Sequence, residues 1–314
     1  MNVKAVCVDL DGTLLDSNSK LSPQNIRALQ QFKDNGGLVI IATGRWRAFT
    51  VDLATRHLPG IVHFLVCSDG GLILQRSKNN DGDGWEILHI HMPTAVQTSH
   101  ALSAIWSVVP RANVGIFPLQ GQNIVSSQTY IDWLTEEDFA VAMFKARPPL
   151  VCPECEQVLL DGTRSHISWL RILPGKRGTT GGELLAVLQP VFDLEQWQLT
   201  VSDWTLKDGT GAVIARRANV NKAVGLQTLV EHGKIKWPGA LEGRHFASFG
   251  DNWNDLEMLD WSEFSVAPAN APADKGALAH AKTISKLSND ESFVADFIEQ
   301  LFSGKTEAES ASSL

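Results

Sequence analysis

The sequence predicts an α/β protein: a Rossmann-like doubly wound parallel sheet interrupted by an inserted α+β domain. Three observations predict it. The chain opens on strand, helix and strand joined by short connections, its last third repeats that grammar, and the middle changes to short strand-like runs between turns. At 314 residues it exceeds one domain of roughly 150 residues, so two domains are expected.

Val3 to Val8 is an apolar run broken only by Lys4, of strand length and valine-rich, as in strands buried on both faces. It ends in Asp9-Leu10-Asp11-Gly12-Thr13. Ser22 then caps a helix with Pro23 at its first position, Ile26, Leu29 and Phe32 supply the buried stripe, and Gly36-Gly37 stops it. Leu38 to Ala42 is the next strand. A βαβ unit of this kind makes its two strands parallel.

The turn-rich Asn79 to Gly84 marks a boundary. Beyond it, runs at Trp85 to His91, Ile167 to Leu173, Gln198 to Ser202 and Ala212 to Ala215 alternate with helical patterns. Residues 82–216 are therefore expected to form the inserted domain, with 1–81 and 217–314 as a discontinuous core. The core resumes in a helical pattern through Lys222, Val224, Leu226, Leu229 and Val230, then a strand at His245 to Phe249 that opens into Gly250-Asp251. A strand at Phe264 to Ala267 and a helix around Phe293 to Phe302 complete it. The tail from Gly304 is small and polar, with no means of packing.

Composition removes several function classes. Lys and Arg total 27 against 35 Asp and Glu, a net charge of -8, which argues against general affinity for nucleic acid or an anionic membrane. No run approaches the roughly 18 to 20 apolar residues of a membrane helix. Four cysteines are too few and too unevenly placed for a disulfide framework. A cytoplasmic protein is expected; the oligomeric state leaves no signature.

In an open parallel sheet, reactive groups gather at the carboxyl ends of the strands. Three expected strands end in polar signatures: Asp9 to Thr13, Thr43-Gly44-Arg45, and Gly250-Asp251-Asn252. Two carboxylates at one strand exit, Asp9 and Asp11, repel unless a cation sits beside them. Magnesium favours such hard oxygen ligands together with substrate phosphate, and Asp251 on a neighbouring strand end adds a carboxylate. Asp255, one helical turn on, falls where it can steady a metal-bound water.

These signatures resemble the haloacid dehalogenase superfamily, in particular its Cof-type phosphatases with a large inserted type IIB cap. All four motifs stand in order: Asp9-Leu10-Asp11-Gly12-Thr13, Thr43 within Ile-Ala-Thr-Gly-Arg, Lys222, and Gly250-Asp251-Asn252-Trp253-Asn254-Asp255. The resemblance implies that Asp9 attacks phosphorus, that Asp11 protonates the leaving alcohol, and that Thr43, Gly44, Arg45, Lys222 and Asn254 hold the phosphoryl group. It implies Mg2+ bound by Asp9, Asp251 and the Asp11 backbone carbonyl, with Asp255 behind them. It further implies a small phosphorylated metabolite as substrate, a sugar phosphate or a phosphorylated cofactor, under a cap that excludes proteins and bulk water. A phosphomutase and a non-catalytic phosphometabolite-binding regulator are the alternatives; the presence of Asp11 and the build of the cap favour hydrolysis. Asp69-Gly70-Gly71 stands where such proteins usually carry Asn-Gly-Ala.

Plainer roles exist for each feature. Asp9 and Asp11 alone read as a turn and helix cap, Thr43 as an N-cap, Lys222 as a solvated lysine. Cys152-Pro153-Glu154-Cys155 is half a zinc site, and Gly209-Thr210-Gly211 is a hairpin turn before it is a nucleotide loop. Trp106, Trp133, Trp169 and Trp204 are expected to pack rather than to line a pocket, and Arg147, Arg164, Arg171, Lys176 and Arg177 to be solvated.

Overall fold

The computed structural model describes residues 3–77, 84–120, 122–135, 148–160, 165–202, 205–231 and 242–303. The expected boundary turn at 79–83, Arg147, Arg164, Trp204 and the tail from 304 lie outside the described residues.

In chain order, β1 (Ala5–Val8), α1 (Pro23–Asp34), β2 (Leu38–Ala42), α2 (Arg47–His57), β3 (Phe64–Cys67), β4 (Leu72–Arg76) and β5 (Trp85–Ile90) come first. Then follow α3 (Ala95–Val108), β6 (Asn113–Pro118), β7 (Ile124–Val125), α4 (Gln128–Leu134), β8 (Leu150–Val151), α5 (Cys155–Leu159), β9 (Ile167–Leu173), α6 (Gly181–Leu188), β10 (Trp197–Val201) and β11 (Val213–Arg217). The last are α7 (Lys222–Glu231), β12 (Phe246–Phe249), α8 (Leu256–Trp261), β13 (Phe264–Ala267), α9 (Ala277–His280), β14 (Thr283–Ile284) and α10 (Phe293–Ser303).

Eight strands form one sheet in the order β14-β13-β12-β1-β2-β3-β4-β5. It is parallel from β14 to β3, while β4 and β5 add antiparallel at the edge. β1 is central and wholly buried. Alternate side chains of a strand point to opposite faces. Ala5 and Cys7 share a cluster with Ile40, Ala42, Phe64 and Val66, covered by Leu226 and Leu229 of α7 and Met258 of α8. On β12, Phe249 meets Phe293 and Phe297 of α10, with ring centroids at 6.0 and 5.5 Å. Apolar partners for both sets of positions explain why β1 and β2 read as continuous apolar runs. The capping of α1 is as expected: Ser22 Oγ accepts from the Asn25 N–H at 3.0 Å.

The second sheet runs β10-β11-β9-β6-β7-β8. It is antiparallel except for the β7–β8 pair. Leu102 and Ile105 of α3 and Leu184 and Leu188 of α6 form its core with Ile116, Leu170 and Ile172. Both helices begin with capping boxes, Thr94 with Gln97 and Thr180 with Glu183, which satisfy N-terminal donors reciprocally.

The chain divides into two compact units, Met1–Ile90 with Val220–Leu314, and His91–Asn219. The insertion expected at 82–216 therefore starts later, because Trp85 to Ile90 joins the larger sheet. Arg76 pairs with Trp85 and Leu72 with Ile90 across β4 and β5. The Ser77 N–H donates to the Gly84 carbonyl at 2.9 Å, which continues the β4–β5 pairing one step beyond Trp85. Trp85 is buried and the Arg76 guanidinium lies 4.8 Å from its ring centroid, which ties the strand to the sheet edge. No described helix is long and apolar enough to cross a membrane.

Candidate active site

After Val8 the chain makes one tight turn. The Leu14 N–H donates to the Asp9 carbonyl at 3.2 Å and the Leu15 N–H to the Leu10 carbonyl at 2.9 Å. Gly12 permits it, with φ +73°, and a Cβ there would lie 2.4 Å from Asp251 Oδ2. Only a glycine lets this backbone come so close to a carboxylate.

Asp9 and Asp251 therefore stand at the ends of adjacent strands β1 and β12. Lys222, the first residue of α7, is completely buried and donates from Nζ to Asp9 Oδ1 and Asp255 Oδ1, both at 2.6 Å. Asp255 Oδ2 accepts the N–H groups of Asp251 and Asn252 at 3.0 and 3.1 Å, so both its oxygens are engaged. Thr13 Oγ1 donates to Asp251 Oδ1 at 3.0 Å. Among the described residues, that leaves Oδ2 of Asp9 and Oδ2 of Asp251 as the oxygens without such a bond.

Three buried carboxylates thus surround one ammonium. Burial pushes the Asp9 carboxyl up, Lys222 opposes, and Asp255 and Asp251 push it further. For Lys222, burial favours the neutral amine, but Asp255, Asp9 and Asp69 more than offset it and hold the ammonium charged. Burial, then the Asp255 charge, raises Asp251 to about 6. The excess negative charge, with ligand oxygens of Asp9, Asp251 and Asp255 all within 4.8 Å of one another, suits a hard divalent cation. Among the described residues this is the only group of three or more candidate ligands found so close together.

The Asp11 carboxylate is not in that cluster. It is mostly exposed and held by Arg45, whose Nε donates to Oδ2 at 2.7 Å and whose Nη2 reaches Oδ1. Thr43, next after β2, is buried, and its Oγ1 accepts the Arg45 N–H at 3.2 Å. Asn254, expected beside the phosphoryl group and Lys222, donates its amide to Asp69 Oδ1 at 2.9 Å. Asp69 has φ 51° and ψ 44°, a left-handed conformation that asparagine and aspartate tolerate best among side-chain-bearing residues, so the aspartate keeps the backbone role of the usual asparagine. A Cβ on Gly44 would face that carboxylate at 3.1 Å, which brings the β2 and β3 exits and Asn254 together. Thr13, Gly12 and Asp69 have positioning roles that strand-end reasoning left unassigned; the Asp-Gly-Thr run after the first strand was the only signal for the first two, and the Asp69-Gly70-Gly71 departure the signal for the third.

The remaining sequence candidates stand elsewhere. Cys155 donates to the Cys152 carbonyl at 2.7 Å, and all four thiols are free. Gly209-Thr210-Gly211 lies in the turn between β10 and β11. Trp169 stacks on Phe117 at 3.8 Å and Arg177 lies 5.0 Å from the Trp133 ring centroid. Trp106 packs against the core of the inserted unit, as expected, and also lines a cavity of ≈ 470 Å³ there.

Comparison with known proteins gives a consistent result. The haloacid dehalogenase-like hydrolase family matches residues 6–90 and 204–298, more than half the chain. The 5-amino-6-(5-phospho-D-ribitylamino)uracil phosphatase YitU of Bacillus subtilis is 24% identical over 95% of this chain and 97% of its own length. TM0651 of Thermotoga maritima superposes with a TM-score of 0.72 at 18% identity, covering 95% of this chain and 97% of that one. The subclass IIB sugar phosphatase BT4131 superposes at 0.66 and 17%, covering 95% and 99%. With the motif residues on adjacent strand ends of the same fold, the chain belongs to the haloacid dehalogenase-like hydrolase family.

Proposed function

We propose that the protein is a magnesium-dependent phosphatase of small phosphate monoesters that works through an aspartyl phosphate on Asp9. The observation that carries this reading is the buried Asp9–Lys222–Asp255 chain beside Asp251 at the carboxyl end of the central strand. Lys222 fixes one oxygen of Asp9, which leaves the other to attack phosphorus while the ester P–O bond breaks. Asp11 gives its proton to the departing alkoxide, then takes one from the water that attacks the phosphoaspartate and returns Asp9 and inorganic phosphate. For Asp11 to present that proton, its pair with Arg45 has to open. Thr43, Gly44 and Lys222 hold the transferring oxygens by hydrogen bond and charge. Asp9 and Asp251, with the Asp11 carbonyl, would hold Mg2+, which supplies charge neutralisation between carboxylate and phosphate; Asp255 steadies the site from behind.

The substrates named for the relatives, a phosphorylated ribitylaminouracil and a sugar phosphate, suggest a small monoester for this chain too. The test is phosphate release from p-nitrophenyl phosphate and a panel of phosphorylated metabolites, with magnesium or EDTA. Release that requires magnesium and drops at least about a thousandfold in Asp9→Asn is expected, given the scale of losses when a nucleophile is removed. Release that survives Asp9→Asn would refute the covalent route.

A further inference from the structure

We propose that the cavity of the inserted unit is a further ligand site, for a small organic oxyanion: a metabolite whose carboxylate or phosphate docks on Arg111 while its hydrocarbon part lies against Trp106. Every residue that lines the cavity belongs to His91–Asn219, so the site does not depend on the phosphatase reading of Asp9.

At ≈ 470 Å³ the cavity falls in the ordinary range for small-molecule sites. Three connections meet around it: the one from α3 into β6, the turn from β7 into α4, and the exit of β9 at Gly175. Gly175 makes that meeting close. A Cβ there would lie 2.7 Å from the Arg111 Cβ and 3.0 Å from the Arg111 carbonyl, so only a glycine lets the β9 exit press against the Arg111 backbone and fix where that side chain starts.

The chemistry of the walls selects an anion. Arg111 is exposed and makes no hydrogen bond or ion pair among the described residues. No Asp or Glu lines the cavity, although the chain carries 35 of them against 27 Lys and Arg, so the guanidinium charge is not neutralised by the wall. The polar neighbours add protons to give. Asn113 is buried and its Oδ1 is engaged by the Ser127 hydroxyl, which leaves its amide protons on offer; the bond from Nδ2 to the Pro174 carbonyl is long, at 3.5 Å. Ser126 Oγ accepts the Val114 N–H at 2.8 Å, so its own O–H is left to donate. A planar guanidinium among such donors matches a carboxylate or a phosphate, which it can hold through two parallel bonds. The opposite character of the remaining wall makes the ligand organic. The Trp106 indole N–H donates to the Ala112 carbonyl at 3.1 Å, which holds the ring in place, and Pro110 and Pro153 extend the apolar side.

The test is calorimetric titration of the full-length protein in EDTA with succinate, glycerol 3-phosphate and, as the uncharged control, glycerol. Wild type is expected to bind at least one of the two anions with a Kd on the order of 1 mM or tighter and to ignore glycerol; the tighter of the two anions shows whether the site is built for carboxylate or phosphate. Arg111→Ala, an exposed truncation that costs the fold little, should weaken that binding at least about tenfold, the scale of a lost charge-assisted hydrogen bond. Nitrogen–proton NMR then locates the ligand: the side-chain N–H signals of Asn113 and Trp106 should shift on titration. Binding of neither anion, equal binding by Arg111→Ala, or shifts confined to Thr43 and Lys222, which would put the anion in the phosphate site, overturns the proposal.

Discussion

Lys222 neutralises Asp9 and Asp255 together, so removing its ammonium strands two carboxylates out of water. Lys222→Met is expected to lose about 3–5 kcal/mol of stability, as for a broken buried ion pair, in urea unfolding with EDTA present; a loss under about 1 kcal/mol would mean that water reaches the site. Gly12→Ala tests the other contact. Its Cβ would overlap Asp251 and the backbone would be strained at φ +73°, so activity should fall about a hundredfold, the cost of a misplacement near 1 Å. Asp251 also sets a pH limit. Its carboxyl is raised to about 6, protons compete with metal below that value, and magnesium affinity measured by calorimetry should weaken by up to about tenfold per pH unit below pH 6. A flat profile from pH 7 to 5 would count against Asp251 as a ligand. The residue types at the site were legible in the sequence because three of the motifs sit where a strand ends, at Asp9, Thr43 and Asp251, whereas Lys222 opens a helix and was marked only by the family resemblance. Their pairings were not: Thr13 bonds a residue 238 positions away and Asn254 one 185 away, and linear spacing carries no information about which strand exits become neighbours.

At the scale of elements, β1, α1, β2 and β13 read directly from apolar pattern and caps, because their burial on the sheet matches their local chemistry. β5 also read as a strand, but its affiliation did not, because that is set by pairing with β4, which the composition of residues 77–84 does not encode. His63, just before β3, shows a similar hidden tie. Its Nδ1 accepts the Val39 N–H at 3.1 Å and its own N–H donates to the Val39 carbonyl at 2.9 Å, pinning the starts of β2 and β3. Burial first, then Lys33 and Arg76, lower its pKa against the upward pull of the Val39 bond. A histidine pKa lowered by folding means that the native state prefers the neutral ring. Its contribution is complete above 6.5 and is lost as pH falls below that value. The thermal midpoint should decline from pH 6.5 to 5, and less steeply in His63→Asn; equal slopes would remove His63 from the account.

For the molecule as a whole, each compact unit owns a hydrophobic cluster, one under the eight-stranded sheet and one within His91–Asn219. All four cysteines are free, so a reductant is expected to leave the melting temperature unchanged within about 1 °C, since no covalent loop constrains the unfolded chain. A reductant-dependent drop would expose a disulfide. The general plan of a parallel core with an insertion was legible because composition changes along the chain; the joint was displaced because it follows strand pairing. The central place of β1 has a further consequence, for the time the chain spends on the ribosome. Ala5 pairs on one side with Leu38 and on the other with Phe246. The first edge can close almost at once, while the second waits for roughly 240 more residues, on the order of 12–50 s of synthesis at typical rates. Throughout that interval the nascent chain presents an apolar strand edge with no native partner, so its yield in cells should depend on holding chaperones far more than its finished stability would suggest.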